Sequence, residues 1–107
     1  MKKYNVKFLK PALDDLEEIV LYIAQDSPPM ALKMYDNIIA CSMKLETFPK
    51  LGRKVPDKKM NESGFRMLVL APYIAFYRVI NDTVYIYRVL HGARSYPLLY
   101  TDWVIER

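Results

Sequence analysis

The stretch FRMLVLAPYIAFYRVINDTVYIYRVLHGAR, residues 65–94, decides the fold of this chain. It contains three runs of apolar, aromatic and β-branched residues, the types that favour strands. Ala71-Pro72 separates the first run from the second, and Asn81-Asp82 separates the second from the third. Strand-forming runs between turn residues predict an antiparallel three-stranded meander.

The Asn81-Asp82 dipeptide predicts a two-residue hairpin turn with both residues at positive φ. Such a turn also fixes which residues lie opposite one another. Counting back from it gives three expected pairs: Arg78 with Tyr85, Phe76 with Tyr87, and Ile74 with Val89.

Side chains alternate between the two faces of a sheet, so the register assigns each residue to a face. One face is expected to carry the six paired residues and His91. The other carries Tyr73, Ala75, Tyr77, Val79, Val84, Ile86, Arg88 and Leu90. We favour the second set for the core because it has more aliphatic bulk, although this turns Arg88 toward the core. The first face is then too apolar to remain bare, and we expect it to have a partner.

The residues before the meander predict a short first strand at 3–9 and two helices at about 11–25 and 29–48. Apolar residues recur at three- and four-residue spacing in both helices. In the first helix they are Ala12, Leu16, Ile19, Val20 and Ile23, and in the second Ala31, Met34 or Tyr35, Ile38, Cys41, Leu45 and Phe48. Ser27 is the expected N-cap of the second helix. The short connection makes the helices an antiparallel hairpin. The whole chain, 1–107, is expected to form one α+β domain.

The composition excludes several classes of protein. The chain is 52% hydrophobic and 26% charged, which is typical of a globular protein. Cys41 is its only cysteine, so an internal disulfide and four-cysteine zinc sites are excluded, and it is expected to pack in the core. We find no signal peptide or membrane-spanning run, and we expect a cytoplasmic protein with no metal and no cofactor.

The net charge of +4 is mild, and its lysines and arginines concentrate in the loop at residues 49–64. These are Lys50, Arg53, Lys54, Lys58 and Lys59. A basic loop is either solvated surface or a contact for phosphates or an acidic partner, and both interpretations stay open. Residues 95–107 are rich in large apolar side chains. They either dock as a strand or helical turn or form an interaction surface.

The candidate chemical groups do not form a recognisable catalytic set. The acidic run in the first helix is interpreted as a solvated helix face, with acid–base chemistry as the alternative. His91, beside a strand end, is either structural or a general base. Several arginines near one histidine would suit phosphodiester chemistry or an anionic contact. The arginines in question are Arg66, Arg78, Arg88 and Arg94.

Five segments in order resemble a known family. They are P-A-L-x-D-L-x-x-I-x-x-Y-I (11–23), F-P-x-L-G-R-x-V-P (48–56), the strand of Arg66, Y-x-x-x-Y-R-V (73–79) and R-V-L-H-G-A-R (88–94). Together they resemble the RelE/ParE toxins of bacterial type II toxin–antitoxin systems. The resemblance implies a strand, a helical hairpin and a three-stranded meander, and a cognate antitoxin whose acidic and apolar segment wraps the toxin.

The two branches of that family differ in mechanism. The RelE-like branch cleaves mRNA on the ribosome, with an arginine directly after the tyrosine of the second meander strand. Here Ile74 follows Tyr73. The L-H-G-A-R ending is similar to the ParE-like branch, which is associated with poisoning DNA gyrase. The resemblance therefore favours a ParE-like toxin.

Three hypotheses about function follow. The first is a gyrase-binding toxin. The second is a ribosome-dependent endoribonuclease in which Arg66, His91 and Arg94 are the catalytic groups. The third is a non-toxic module that serves operon autoregulation within a toxin–antitoxin hetero-oligomer. Candidate residues for binding a partner or nucleic acid are Arg53, Lys54, Arg66, Arg78 and Arg94.

Overall fold

The computed structural model describes residues 2–92 and 96–98. Its strands are β1 (Asn5–Phe8), β2 (Arg53–Lys54), β3 (Arg66–Leu70), β4 (Tyr73–Ile80) and β5 (Thr83–His91). Its helices are α1 (Lys10–Ala24), α2 (Pro28–Met43) and α3 (Lys58–Glu62), with 3₁₀ turns at Lys44–Glu46 and Tyr96–Leu98. The predicted α+β class and the order of strand, helical hairpin and meander are confirmed.

Within the described residues the strands form one sheet in the order β1-β5-β4-β3-β2. The meander β3-β4-β5 is antiparallel, as expected. The first strand, β1, joins the sheet parallel to β5. The sequence did not predict β2, which extends the other edge antiparallel to β3.

The helical hairpin follows the predicted pattern closely. Ser27 caps α2 by accepting a hydrogen bond from the backbone N–H of Met30 at 3.3 Å. The apolar stripes supply buried residues from both helices and the turn that follows, namely Ala12, Leu16, Ile19, Ala31, Ile38 and Leu45. Phe48 was expected to be buried, but it is 57% exposed because the helical path ends before it. Cys41 packs at the edge of the core, as expected.

A β-bulge changes the register of the β4–β5 hairpin. Arg78 lies opposite Tyr85, as predicted, but Tyr87 has no partner in β4. Phe76 therefore lies opposite Arg88, and Ile74 opposite Leu90, so the other two predicted pairs are wrong.

Beyond the bulge, the side chains of β5 lie on the faces opposite to those predicted, because one inserted residue reverses the alternation. Val89 packs on the face that meets the helices, and Leu90 packs on the opposite face. Both had been assigned the other way round. His91 pairs with Tyr73, a residue of the helix-facing core. It therefore lies on the helix-facing side of the sheet and not on the face to which the sequence assigned it.

The Asn81-Asp82 turn is a two-residue hairpin, but only Asn81 has a positive φ, at 57°. The expectation of two positive φ angles is wrong for Asp82. An asparagine tolerates this region better than most residues do, which explains its place in the turn.

The sheet carries a hydrophobic cluster on each face. The first joins the helical hairpin to Tyr73, Ala75, Tyr77, Val84, Ile86 and Val89. The second joins Phe76, Tyr87, Leu90 and Met67 to Phe65 and to Val55 and Met60 of the 49–64 segment. This segment, read as a loop, folds over the sheet through α3, which Asp57 caps at the Met60 N–H at 3.0 Å. The face expected to need a separate partner is thus largely covered by the chain itself.

Candidate functional site

Arg66, at the start of β3, is held by the loop that precedes β2. Its guanidinium donates a 2.7 Å hydrogen bond to the backbone carbonyl of Gly52. It lies opposite Tyr77 in the sheet. Arg66 is half-buried, so part of its charge remains accessible. The arrangement commits this arginine to positioning the loop.

Tyr77 completes the same contact from the neighbouring strand. Its buried hydroxyl accepts a 2.9 Å hydrogen bond from the Gly52 N–H and donates one of 2.8 Å to the Pro49 carbonyl. Burial raises the pKa of Tyr77 above its ordinary value of 10.0, against smaller lowering effects from the Gly52 hydrogen bond and the Arg66 charge. Arg66 and Tyr77 together define what we call the Gly52 clamp.

We expect the Gly52 clamp to make stability fall at high pH. Because the pKa of Tyr77 is higher in the folded chain than in the unfolded one, its stabilising effect is complete below pH 10 and is lost as the pH rises through the folded value. Denaturant unfolding of the parent and of Tyr77→Phe between pH 8 and 11 measures this, and the parent should lose more stability across that range.

The same substitution should cost about 1–2 kcal/mol at neutral pH, since it leaves two buried backbone groups without a partner. Tyr35→Phe, at an exposed position on α2, controls for the loss of one phenol. Equal pH slopes for the parent and Tyr77→Phe would contradict the assignment.

Arg78 lies on the opposite face of β4 and is held by aromatic rings. Its guanidinium carbon is 5.1 Å from the Phe65 ring centroid and 5.2 Å from that of Tyr87. It donates to the Tyr87 hydroxyl at 2.8 and 3.2 Å and to the Ser63 carbonyl at 3.3 Å. Cation–π contacts and hydrogen bonds together hold Arg78 over the second hydrophobic cluster.

Arg88 points toward α1, as the sequence predicts, and there it contacts a partner that the sequence did not predict. It forms a bidentate pair with Asp15, with N–O distances of 2.7 and 2.9 Å. Asp15 also accepts a 2.9 Å hydrogen bond from the Val89 N–H. The acidic run is therefore not wholly a solvated face. One feature of the sequence could have predicted this pair: an arginine at a core-facing position requires an acidic residue on the element that covers it.

His91 ends β5 at the other end of the sheet. It pairs with Tyr73, and the two rings meet edge to face with centroids 5.7 Å apart. Arg66, on β3, pairs with Tyr77, which lies four residues further along β4; β3 and β5 are on opposite sides of β4. At ~3.3 Å per residue and ~4.8 Å per strand, the backbones of His91 and Arg66 are about 16 Å apart. The structure does not bring these two candidate catalytic residues together, and Arg94 lies outside the described residues.

The basic edge is the strip formed by Arg53 and Lys54 on β2 with the exposed lysines Lys50, Lys58 and Lys59 around it. Lys54 lies directly opposite Arg66. β3 continues for three residues beyond its last partner in β2, so in the described part of the chain its outer edge is open there. This strip combines positive charge with open backbone groups.

The described residues contain neither a metal-binding cluster nor a membrane-spanning helix. No group of three or more histidine, cysteine and acidic side chains is placed to hold a metal ion. No helix in residues 2–92 and 96–98 has the length and hydropathy that a membrane crossing requires.

Comparison with known proteins places the chain in a family. Residues 6–96 match the model of the ParE toxin of the type II toxin–antitoxin system parDE. Y4kP of Sinorhizobium fredii is 33% identical over 99 residues, which cover 91% of this chain and 97% of that protein. Toxin RelE2 of Caulobacter vibrioides is 34% identical over 83 residues, covering 78% and 89%.

Two solved structures have the same fold. One, from the chromosomal ParDE toxin–antitoxin system of P. aeruginosa, has a TM-score of 0.69 and 26% identity, and the match covers 83% of this chain and 96% of that one. The other, from the toxin–antitoxin complex RelBE2 of Mycobacterium tuberculosis, has a TM-score of 0.63 and 22% identity, covering 88% and 97%. This chain belongs to the ParE toxin family of type II toxin–antitoxin systems.

Proposed function

We propose that this toxin acts in the ParE-like way, by binding and inhibiting DNA gyrase, and that a cognate antitoxin neutralises it. The observation that carries the proposal is how the three arginines on the strands of the meander are held. Arg66 is bound to a loop carbonyl, Arg78 lies between aromatic rings, and Arg88 is paired with Asp15. Phosphodiester cleavage needs cations that converge on one phosphate, and these three diverge.

The residue that follows Tyr73 also supports this choice. Ile74 stands where the RelE-like resemblance implies an arginine, and it packs against the second hydrophobic cluster. A positive charge is thus replaced by an apolar contact, which favours a toxin that acts by binding.

Exposed apolar side chains on the helical hairpin support an antitoxin partner. They are Leu13, Leu21, Tyr22, Met30, Leu32, Tyr35 and Met43, each at least 38% exposed. A recess of about 290 Å³ between the helices is lined by five residues of α1, including the exposed Leu13 and Leu21, and by Tyr35 of α2. Exposed apolar surface of this kind is typical of protein interfaces. The basic edge would take the acidic part of such a partner.

The supercoiling assay tests the proposal. Purified toxin in stoichiometric excess should abolish supercoiling of relaxed DNA by purified gyrase, and toxin purified with its antitoxin should not. Expression without the antitoxin should arrest growth. Unchanged supercoiling would count heavily against gyrase as the target, and normal growth would favour a non-toxic module of autoregulation.

The second candidate is ribosome-dependent cleavage of mRNA, which the 34% identity to Toxin RelE2 favours. Primer extension on a translated message after toxin induction would then show new 5′ ends. If Arg66→Ala and His91→Ala cleave as well as the parent, these residues are not the catalytic groups of such a nuclease.

A further inference from the structure

A pocket of about 490 Å³ lies between α1 and the β4 and β5 ends that meet at the Ala71-Pro72 turn. Its walls include Glu18 and Tyr22 from α1, Tyr73 from β4 and His91 from β5. It is distinct from the recess between the helices and from the basic edge. We propose that this pocket receives a cationic side chain, arginine by preference, from a partner protein.

The charge of the pocket favours a cation. Glu18 and Asp15 both line it, and among the described residues no lysine or arginine does. Asp15 is neutralised by Arg88, but Glu18 forms no ion pair with any described residue. In a chain with a net charge of +4, Glu18 thus offers this pocket a carboxylate that no described cation neutralises. A guanidinium or ammonium group would pair with it.

The two tyrosines provide the rest of the site. Tyr22 is 70% exposed, so its ring is available for a guanidinium to stack on. Tyr73 is only 8% exposed, yet no hydrogen bond joins its hydroxyl to a described residue. Burial, and then the neighbouring Tyr22, raise the pKa of Tyr73 above its ordinary value. Its hydroxyl oxygen can accept a hydrogen bond from a cation. Glu18 and Tyr22 lie one helical turn apart on α1, so a planar guanidinium that stacks on Tyr22 can pair with Glu18.

A protein side chain fits better than a free amine. The volume of the pocket exceeds that of a single guanidinium group, and Ile19, Pro72 and Val89 give it an apolar border. A partner segment would cover this apolar border as its cation enters, whereas a small free amine would leave it in water. The inference goes beyond the proposed function, since it holds whether the toxin acts on gyrase or on mRNA.

NMR titration with N-acetyl-arginine amide tests the proposal on the full chain. The backbone amides of residues 89–91 should shift saturably, with a dissociation constant in roughly the millimolar range. N-acetyl-citrulline amide, of the same shape but neutral, should leave them unchanged. Glu18→Gln should weaken binding about fivefold. Tyr22→Ala should weaken it similarly, while Tyr22→Phe keeps the ring and should bind as the parent does.

Glu17→Gln is the matched control, because Glu17 is the preceding residue but lines the recess between the helices instead. It should bind arginine amide as the parent does. Equal shifts with citrulline amide, or equal losses in Glu17→Gln and Glu18→Gln, would overturn the proposal. Spermidine binding ten times tighter than arginine amide would point to a free polyamine and would also overturn it.

Discussion

Replacing Asp15 by alanine should lower the free energy of unfolding by about 3 kcal/mol, the lower end of the range for breaking a buried ion pair. The substitution leaves Arg88 charged at a site where its side chain is only 20% exposed. It also leaves the Val89 N–H without its acceptor. A domain of this size should lose at least about 10 °C of melting temperature, which thermal or denaturant unfolding measures.

Asp14→Ala is the matched control, one residue earlier on the same helix. Asp14 pairs with Lys10 at 3.1 Å, but the two side chains are 64% and 83% exposed. An exposed pair of this kind contributes about 0–1 kcal/mol. The double variant Asp15→Leu/Arg88→Met should recover much of the loss, because it removes both charges and keeps the volume. Equal effects of Asp14→Ala and Asp15→Ala would show that the buried pair does not stabilise the fold.

Gly52→Ala should destabilise the fold by about 3 kcal/mol, the upper end of the range for overpacking. A Cβ added at Gly52 would lie 2.7 Å from the Met67 carbonyl oxygen and 2.7 Å from the Tyr77 ring. Neither can move easily, since one is strand backbone and the other is a fully buried side chain. The loop must therefore move away from the sheet, which breaks both hydrogen bonds that the Gly52 clamp makes with Gly52.

Gly92→Ala serves as the comparison, because the nearest atom to a Cβ there is the Pro72 carbonyl oxygen at 3.3 Å. It should lose much less stability in the same denaturant titration. NMR spectra of Gly52→Ala should also show the largest shifts at Arg53 and Lys54, whose strand the clamp positions. A Gly52→Ala variant as stable as Gly92→Ala would mean that the loop does not pack as described.

Local chemistry made part of this fold predictable. The Ser27 cap and the Asn81-Asp82 turn each depend on a few adjacent residues, so their positions could be derived from the sequence. The bulge at Tyr87 could not, because it depends on packing between strands. Its effect on the site was large, since it moved His91 to the helix-facing side of the sheet.

The contacts of the arginines were the part that the sequence could not supply. Arg88 and Asp15 are 73 residues apart, and the Gly52 clamp joins positions 25 residues apart. A sequence pattern identifies an arginine but not the group that holds it. Arg66 and His91 are apart because β3 and β5 lie on either side of β4 and the two residues pair four positions apart along it.

The parallel pairing of β1 with β5 has a consequence for the order in which this toxin folds. Asn5 pairs with Thr83, so the first strand cannot dock until the chain has been synthesised as far as β5. Contacts this distant in sequence form late, because closing a long loop costs entropy before any contact compensates it. During synthesis β1 therefore remains unpaired until β5 has been synthesised. The five-stranded sheet is therefore complete only after β5 has been synthesised.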